Sequence, residues 1–485
     1  MNLIPMFDGT ITGNYVCTWC CQGGAEGMNE AKLFGRGGLL KNYALPQHKS
    51  ELICVIDDGW DVPYGTKNPE HIYRYGQAYP DPERFPSTAG MEPPHALRWL
   101  ADAVRAEGFG GVGLWIPMQT VRENHDLFTL EEYIAHWIPR AKWSEQAGIS
   151  YWKVDWGEHF WNNADARIAL TKLLREHAPH VMVEHAYIPG RCVDREPAQI
   201  TQREKEARDL HIRRVLQYSD YFRTYDCGGF TRIPTTLARL STLMEQAAYL
   251  QQDPVLHPRH MVNVEDDPYI AAALGCTMGD MSFGKDAPGS RYASLTATSR
   301  ALYWQRIAPP FSLSPTGNYI DSEWIANDFD KTVQSAPGRL SRNWPLAEVS
   351  LQVGQYQPWV LTSVHPKSGA LSCYATPRTV TDWENCWSYA DITLQVPQME
   401  TPIGIFGDSY LSLTLHFPQN IGNRRIYVQD LAAPQAIDVT EQVRIDQNQV
   451  ILNKEQIPAF GKTICPEGDT SASGFLLRLL RSEDM

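Results

Sequence analysis

The sequence predicts an α/β fold in which a (β/α)8 TIM barrel is followed by a C-terminal antiparallel β-sandwich domain. Over residues 1–345, short apolar runs alternate with segments of helical periodicity, a pattern typical of βαβ units and a parallel sheet. Seven or eight such repeats favour a closed barrel over an open sheet. Over residues 346–485 the helical periodicity stops and short β-like segments follow one another. This change of pattern predicts a separate all-β domain.

The predicted barrel strands are short apolar runs, several of which end in a carboxylate. The strands are expected at Leu52–Ile56, Val112–Ile116, Tyr151–Val154, Val181–Val183, Tyr218–Tyr225, His260–Val264 and Met278–Phe283. Asp57, Asp155, Glu184 and Asp226 stand at the ends of four of them. Because a barrel collects the carboxyl ends of its strands on one face, we expect these four side chains to share a site.

Helical periodicity and capping signals place helices between these strands. The helices are expected at 93–107, 129–148, 163–177, 236–251 and 294–307. Gly108 ends the first of them. Thr129 and Glu132 form a capping box at the start of the second, and Asn163 caps the third. The charged stretch 190–212 is interpreted as an insertion that serves as a lid, a subunit contact or a solvated loop.

The C-terminal domain is predicted from β-like segments that Asn, Asp, Gly and Pro turns separate. The clearest segments are Ile403–Phe406, Tyr410–His416, Arg425–Gln429 and Gln449–Leu452.

Composition excludes several classes of protein. The 485 residues are 43% apolar and 20% charged, enough to bury a large core and incompatible with disorder. The net charge of −13 argues against nucleic acid or an anionic membrane as a partner. No apolar run approaches the ~20 residues of a membrane-spanning helix.

The amino-terminal sequence and the cysteines predict a cytoplasmic protein. The first 22 residues have neither a basic region nor a continuous apolar run, so no signal peptide is expected. The ten cysteines are scattered and are expected to be reduced thiols. Cys17, Cys20 and Cys21 suggest zinc, but no second pair of ligands completes a site, so no metal is expected.

Lys153 and Asp155 form the strongest local signal, in the segment Tyr151-Trp-Lys-Val-Asp-Trp-Gly157. Side chains alternate along a strand, so these two point to the same face. A lysine beside a carboxylate keeps it ionised. An ionised carboxylate at a barrel mouth can attack an anomeric carbon; the alternative is a structural ion pair.

Asp57 and Asp58 are candidates for sugar binding, because fixed carboxylates accept hydrogen bonds from neighbouring hydroxyls. A Mg²⁺ or Ca²⁺ site is the alternative for this pair. Trp60 and Trp19 are candidates for the walls of a sugar site, with core packing as the alternative for each.

Asp226 follows Asp155 by 71 residues, about two βα units. A second carboxyl facing the first is what glycoside hydrolysis requires, and burial beside Tyr225 would favour its protonated form. Arg223 is positioned to bind a sugar hydroxyl, and Asp220 is the alternative acid.

Together these motifs resemble the clan of α-galactosidases in glycoside hydrolase families 27 and 36. The resemblance covers roughly residues 15–300 and runs through Trp19, Asp57-Asp58-Gly-Trp60, Asp81-Pro-Glu-Arg-Phe-Pro86, Gly113-Leu-Trp115, Lys153-Val-Asp155, Glu184, and Arg223 with Asp226. It implies a β-sandwich after the barrel. The sequence departs from the family in the spacing from Arg223 to Asp226, which is three residues instead of four.

The resemblance also implies roles. Asp155 would be the nucleophile and Asp226 the acid/base, both catalytic. The implied substrate-binding residues are Asp57, Asp58 and Lys153 on the galactose hydroxyls, Trp19 and Trp115 as walls, and Glu184 and Arg223 near the 2-hydroxyl. Trp60 and Tyr187 are further candidates for substrate binding. Tyr187 lies in a segment, His185-Ala-Tyr187, that differs from the family's.

The sequence therefore predicts a cytoplasmic retaining α-glycosidase, with α-galactosidase as the first candidate. The expected partner is a small-molecule glycoside, without nucleic acid, membrane or cofactor. The alternatives are α-N-acetylgalactosaminidase, β-L-arabinopyranosidase or α-glucosidase specificity, and a non-catalytic sugar-binding protein. Monomer and homo-oligomer are both compatible with the sequence.

Overall fold

The computed structural model describes most of the chain. The described residues are 1–65, 76–118, 129–155, 157, 163–186, 201–224, 232–265, 267–281, 295–329, 332–351, 357–381, 384–386 and 388–481.

Eight parallel strands form a closed barrel in chain order, which confirms the predicted TIM barrel. The strands are β1 (Tyr15–Cys17), β2 (Ile53–Ile56), β3 (Gly111–Ile116), β4 (Tyr151–Val154), β5 (Met182–His185), β6 (Tyr221–Arg223), β7 (Met261–Glu265) and β8 (Thr277–Asp280). The barrel closes because β8 pairs with β1 as well as with β7. All residues of these strands are buried, as expected for parallel strands that helices cover.

Helices connect the barrel strands and surround the barrel, and the last helix of the chain packs against C-terminal β-strands. The described helices are α1 (Trp19–Gln22), α2 (Glu30–Phe34), α3 (Pro93–Ala106), α4 (Leu130–Ala147), α5 (Ala164–His177), α6 (Gln202–Gln217), α7 (Arg232–Ala247), α8 (Pro268–Leu274), α9 (Leu295–Gln305) and α10 (Gln456–Gly461). None of these described helices has the length and apolar character needed to cross a membrane.

Local capping interactions place two helices where the sequence predicts them. The Thr129 side chain accepts from the backbone N–H of Glu132, and the Glu132 carboxylate accepts from that of Thr129, at the start of α4. Gly148 ends this helix in the left-handed region, at φ 72°. Asn163 caps α5 through the N–H of Ala166.

Several helices differ from the sequence prediction: α1, α2 and α10 were not predicted, and α7 begins and ends four residues before the expected helix 236–251. Helix α6 occupies 202–217, so this part of the charged stretch 190–212 is a barrel helix and not an insertion. The residues 187–200 lie outside the described residues. Helix α8 was not predicted either, because six of its seven residues, 269–274, are buried and it has no polar face to produce a helical period.

Aromatic side chains from the first residues of three barrel strands pack together inside the barrel. Tyr15, Tyr151 and Tyr221 are buried in one cluster inside the strands. The ring centroids of Tyr15 and Tyr151 lie 5.7 Å apart, and those of Tyr151 and Tyr221 lie 5.3 Å apart. These rings fill part of the barrel interior, and the carboxyl ends of the strands lie together on one face.

The C-terminal region contains a β-sandwich and two separate two-stranded sheets, one within 324–337 and one within 378–386. Its strands are β9 (Asn318–Ile320), β10 (Trp324–Phe329), β11 (Thr332–Pro337), β12 (Arg339–Arg342), β13 (Glu348–Leu351), β14 (Trp359–Val364), β15 (Leu371–Thr376), β16 (Arg378–Thr381), β17 (Glu384–Cys386), β18 (Ala390–Gln395), β19 (Ile403–Phe406), β20 (Tyr410–His416), β21 (Arg425–Asp430), β22 (Ile437–Asp438), β23 (Arg444–Asp446), β24 (Gln449–Asn453) and β25 (Gly474–Leu480).

Two sheets of this region share one core, as predicted for a sandwich. The first has the order β22-β21-β25-β19-β15-β14-β12-β9 and the second β13-β18-β20-β24-β23. Ile405 and Phe475 from the first pack in one buried cluster with Ile392 and Leu413 from the second. Most pairs are antiparallel, but β12–β14, β15–β19 and β18–β20 are parallel. Since β9 and β12 belong to the first sheet, the sandwich begins before residue 346.

Arg300 on α9 and Asp430 on β21 join the barrel to the sandwich. The guanidinium Nε and Nη2 lie 2.8 and 3.0 Å from the two oxygens of Asp430, and both side chains are buried. Arg300 also donates to the carbonyls of Ile464 and Ala472. Arg300 therefore joins the end of β21 and the segment 462–473 to a barrel helix.

Arg300→Met is expected to lower the free energy of unfolding by about 3–5 kcal/mol, because it leaves the Asp430 carboxylate buried without its cation. Urea unfolding followed by tryptophan fluorescence measures the change. The matched control is Arg444→Met, which removes an exposed pair with Asp446 and should cost about 0–1 kcal/mol. Equal losses in the two variants would contradict the bridging role.

Candidate functional site

Charged side chains from five of the eight strands meet at the carboxyl end of the barrel. The contributing residues are Asp57 after β2, Lys153 in β4, Asp155 after β4, Glu184 in β5, Arg223 at the end of β6 and Glu265 at the end of β7. Each of these six side chains is at least 90% buried. Burying so many charges is costly unless each one is paired, and the contacts below supply the pairing.

Lys153 holds Asp57 from across the barrel. Its Nζ lies 3.0 Å from Oδ2 of Asp57 and 3.4 Å from Oε1 of Glu265. The thiol of Cys17 donates to the same Asp57 oxygen at 2.9 Å. Burial acts to lower the pKa of Lys153, but the nearby carboxylates outweigh it and hold the pKa well above its usual value. Lys153 therefore stays charged and orients Asp57.

Lys153 does not contact Asp155, which corrects the pairing expected from their shared strand face. Lys153 lies within β4 and its long side chain crosses the barrel interior to β2 and β7, whereas Asp155 follows the end of the strand. The cation that contacts Asp155 is Arg223, whose Nη2 lies 2.9 Å from Oδ1.

Asp155 is held differently at its two oxygens. The indole N–H of Trp115 donates to Oδ2 at 3.0 Å. Oδ1 faces Arg223, but among the described residues no donor is aligned on it as a hydrogen bond. Arg167, on α5, donates to the backbone carbonyl of Asp155 at 2.8 Å and to that of Val154 at 3.1 Å. The carboxylate is thus fixed in place, with one oxygen supported by charge alone.

Arg223 contacts two further carboxylates. Its Nε lies 3.2 Å from Oε1 of Glu184, and its Nη1 donates to both oxygens of Glu265 at 3.1 Å. Tyrosine hydroxyls complete these contacts: Tyr151 donates to Glu184 at 2.7 Å and Tyr15 donates to Glu265 at 2.8 Å. The Arg223 guanidinium therefore contacts three carboxylates of the site.

Glu265 was not among the residues predicted from the sequence. It directly follows the predicted strand His260–Val264, so it stands where Asp57 and Asp155 stand on their own strands. The rule that selected those two residues would also have selected Glu265.

The pKa of the Glu184 carboxyl group lies above its ordinary range because the group is buried. Complete burial raises its pKa to about 7, against the opposing effect of Arg223. The unfolded chain therefore releases this proton near pH 4.5 and the folded protein only near pH 7. The contribution of Glu184 to stability is complete below pH 4.5 and is lost as the pH rises to about 7.

Glu184→Gln should remove this pH dependence. The fall in the free energy of unfolding between pH 4.5 and pH 7 is expected to be smaller in the variant by about 1–3 kcal/mol. Urea unfolding at both pH values measures it. Glu455→Gln, at an exposed carboxylate of the sandwich, is the control and should match the wild type. An unchanged pH dependence in Glu184→Gln would contradict the assignment.

The structure places the other predicted residues as follows. Asp58 is buried, and its N–H donates to Oδ1 of Asp57 at 2.9 Å. Trp19 begins α1 and is partly buried against the cluster inside the barrel. Trp60 is fully buried in the core between barrel and helices, and its indole donates to the Trp115 carbonyl, so it packs there instead of lining the pocket. Asp226 and Tyr187 lie outside the described residues.

Asp220 is excluded as the alternative acid by its position. It precedes β6, so it lies at the amino end of the barrel, on the face opposite the site. One oxygen accepts from the backbone N–H of Val183 at 2.9 Å and the other pairs with Arg175. The predicted strand Tyr218–Tyr225 begins too early, which is why Asp220 was considered.

The described residues offer no metal site. Among them, no three His, Cys, Asp or Glu side chains are arranged to hold an ion. At Asp57, one carboxylate oxygen already accepts from Lys153 and Cys17. The arrangement instead suits a neutral polyhydroxyl ligand, because fixed carboxylates and a fixed ammonium can exchange hydrogen bonds with hydroxyl groups.

The sequence matches no protein-family model and no curated protein. Among solved structures, the chain is similar to a family 27 β-L-arabinopyranosidase from Geobacillus stearothermophilus in complex with arabinose. The identity is 11% and the TM-score 0.44, with 98% of each chain covered.

Two further solved structures are similar over most of the chain. A proposed α-galactosidase from Bacteroides fragilis is 11% identical with a TM-score of 0.44, covering 97% of this chain and 79% of the other. A proposed α-N-acetylgalactosaminidase from Bacillus halodurans is 10% identical with a TM-score of 0.42, covering 99% and 100%.

Proposed function

We propose that the protein is a retaining α-glycosidase and that its first candidate substrate is a terminal α-galactoside. The observation that carries the proposal is the environment of Asp155. This carboxylate lies at the carboxyl end of a barrel strand, where the active sites of such barrels are built. Trp115 fixes one oxygen, and the other is supported by the charge of Arg223 without an aligned hydrogen bond.

The chemistry follows from that environment. Oδ1 of Asp155 attacks the anomeric carbon, and the bond from that carbon to the leaving oxygen breaks with its electron pair going to the oxygen. Asp226, proposed as the acid from the sequence, protonates the leaving oxygen. A water that Asp226 then deprotonates displaces Asp155 from the covalent glycosyl-enzyme. Two displacements return the anomeric carbon to its original configuration.

Sugar binding is proposed for the side chains on the other half of the site. Asp57 is held by Lys153, Cys17 and the N–H of Asp58, so its carboxylate is oriented before a ligand arrives. Such preorganisation lowers the entropic cost of binding. The resemblance places Glu184 and Arg223 near the 2-hydroxyl. A charged pair suits a hydroxyl group at that position better than the methyl group of an acetamide.

A panel of 4-nitrophenyl glycosides tests the proposal. The wild type should hydrolyse the α-galactoside faster than the α-N-acetylgalactosaminide, the β-L-arabinopyranoside and the α-glucoside. Faster release from one of those three would correct the specificity and keep the mechanism. If no glycoside is hydrolysed while galactose still binds in calorimetry, the protein is a sugar-binding protein and the proposed activity is wrong.

A further inference from the structure

Glu265 occupies a position between the two cations of the site. Oε1 lies 3.4 Å from Nζ of Lys153, and both oxygens lie 3.1 Å from Nη1 of Arg223. Within the described part of the chain, it is the carboxylate that contacts both cations. The hydroxyl of Tyr15, which is fully buried, donates to the same Oε1 at 2.8 Å. Glu265 therefore has fixed partners on the two strands β4 and β6 and on β1.

The contacts of Arg223 differ in kind. Its Nη1 makes aligned hydrogen bonds to both oxygens of Glu265, whereas its Nη2 approaches Oδ1 of Asp155 as an ion pair at 2.9 Å. A guanidinium is planar and its N–H groups point in fixed directions. Bonding Nη1 to Glu265 therefore sets where Nη2 can point. With Nη1 held in this way, the N–H groups of Nη2 do not point along a hydrogen bond to Oδ1 of Asp155.

This orientation matters for a nucleophile. An arginine that is free to turn forms a two-pronged hydrogen-bonded pair with a carboxylate, which is the strongest arrangement for the two groups. In such a pair the lone pairs of both oxygens would be engaged. Asp155 in this protein keeps the charge of Arg223 close while Oδ1 accepts no aligned hydrogen bond from the described residues.

We propose that Glu265 is a positioning residue that anchors Arg223, so that the guanidinium supports Asp155 by charge and leaves Oδ1 available to bond to the anomeric carbon. The inference rests on the proposed role of Asp155 as nucleophile. Glu265 acts through Arg223 and does not itself react. Glu265 also contacts Lys153. It therefore connects Arg223, the cation beside Asp155, with the cation that orients Asp57.

Glu265→Gln tests the anchor, since glutamine has the same shape but carries no charge. With Arg223 released toward Asp155, kcat on the best glycoside should fall by about 30-fold or more, an effect of the size seen when one oriented electrostatic group is lost. KM should change less than kcat. Tyr15→Phe, which removes only the hydroxyl bond to Glu265, is the milder variant and should show the same pattern with a smaller loss.

The split between kcat and KM separates positioning from a general structural role. A turned guanidinium should lower kcat in folded protein that still binds the substrate, whereas a general structural loss would lower the melting temperature and change kcat and KM together. A lower melting temperature with kcat and KM changed to the same extent, or kcat within threefold of the wild type, would overturn the proposal.

A crystal structure of Glu265→Gln gives a readout that needs no activity. Nη2 or Nε of Arg223 should be hydrogen-bonded to Oδ1 of Asp155 in the variant. An unchanged guanidinium orientation would overturn the anchor even in an active enzyme. If the wild type hydrolyses no glycoside, the proposed function fails, and the crystal structure still decides whether Glu265 orients Arg223.

Discussion

Asp155→Asn is expected to lower kcat by about 10⁴-fold or more, with folding intact. Asparagine is nearly identical in shape and its amide oxygen can still accept from the indole of Trp115, which the wild-type carboxylate does at 3.0 Å. It has no negative charge and cannot form the glycosyl ester, so the first displacement is lost. Turnover of the best 4-nitrophenyl glycoside measures the effect, and the melting temperature reports on folding.

A smaller variant of the same residue provides the control. Asp155→Gly leaves space beside the anomeric carbon, so added azide should restore release of nitrophenol by attacking that carbon directly. The product should be the glycosyl azide of inverted configuration, because only one displacement then takes place. Turnover close to the wild-type value in well-folded Asp155→Asn, or no effect of azide on Asp155→Gly, would argue against Asp155 as the nucleophile.

Asp226→Ala is expected to have the second-largest effect, and the effect should depend on the leaving group. For a disaccharide, whose leaving alcohol needs a proton, kcat/KM should fall by about 10²–10⁴-fold. For a dinitrophenyl glycoside, whose leaving group needs little protonation, the first displacement should be nearly unaffected. A plot of log kcat/KM against leaving-group pKa should therefore be steeper for the variant than for the wild type.

Asp220→Asn is the matched control for this experiment. Asp220 lies at the amino end of the barrel, where it accepts from Val183 and pairs with Arg175. Its replacement should lower stability and leave the leaving-group dependence unchanged. A steeper plot for Asp220→Asn together with an unchanged plot for Asp226→Ala would reverse the two assignments.

The parts of the fold that follow from local interactions could be predicted from the sequence. The caps of α4 and α5 depend on Thr129, Glu132, Gly148 and Asn163, all of which act within a few residues of the helix end. The apolar runs that become barrel strands are likewise local. The parallel pairing of β18 with β20 is different, because it joins segments through a register that no local pattern contains.

For the site, the sequence predicted which residues take part but not which residues contact one another. Asp57 and Asp155 were predicted because a barrel brings its strand ends to one face, and the structure brings both there. The cation that each one contacts could not be predicted, because Lys153 and Arg223 choose their partners across the barrel interior. The shared face of Lys153 and Asp155 is a property of one strand, whereas the contacts are properties of the closed barrel.

Glu265 shows a different limit. Its position after an apolar run was visible in the sequence, but nothing near it distinguishes a site residue from a polar residue at an ordinary strand end. Its importance is evident only once β7 lies beside β6 and the carboxylate meets Arg223. A rule applied to every strand end, without selection by motif, would have included it.

The central claim is that Asp155 forms a covalent bond to the sugar, and the anomer of the first product tests this most directly. Proton NMR during the first minutes of hydrolysis of an α-glycoside, before mutarotation, identifies that anomer. Double displacement predicts the α-anomer first, with the β-anomer growing in as the sugar equilibrates. The β-anomer first would mean that a water attacks the anomeric carbon in a single displacement, and Asp155 would not be the nucleophile.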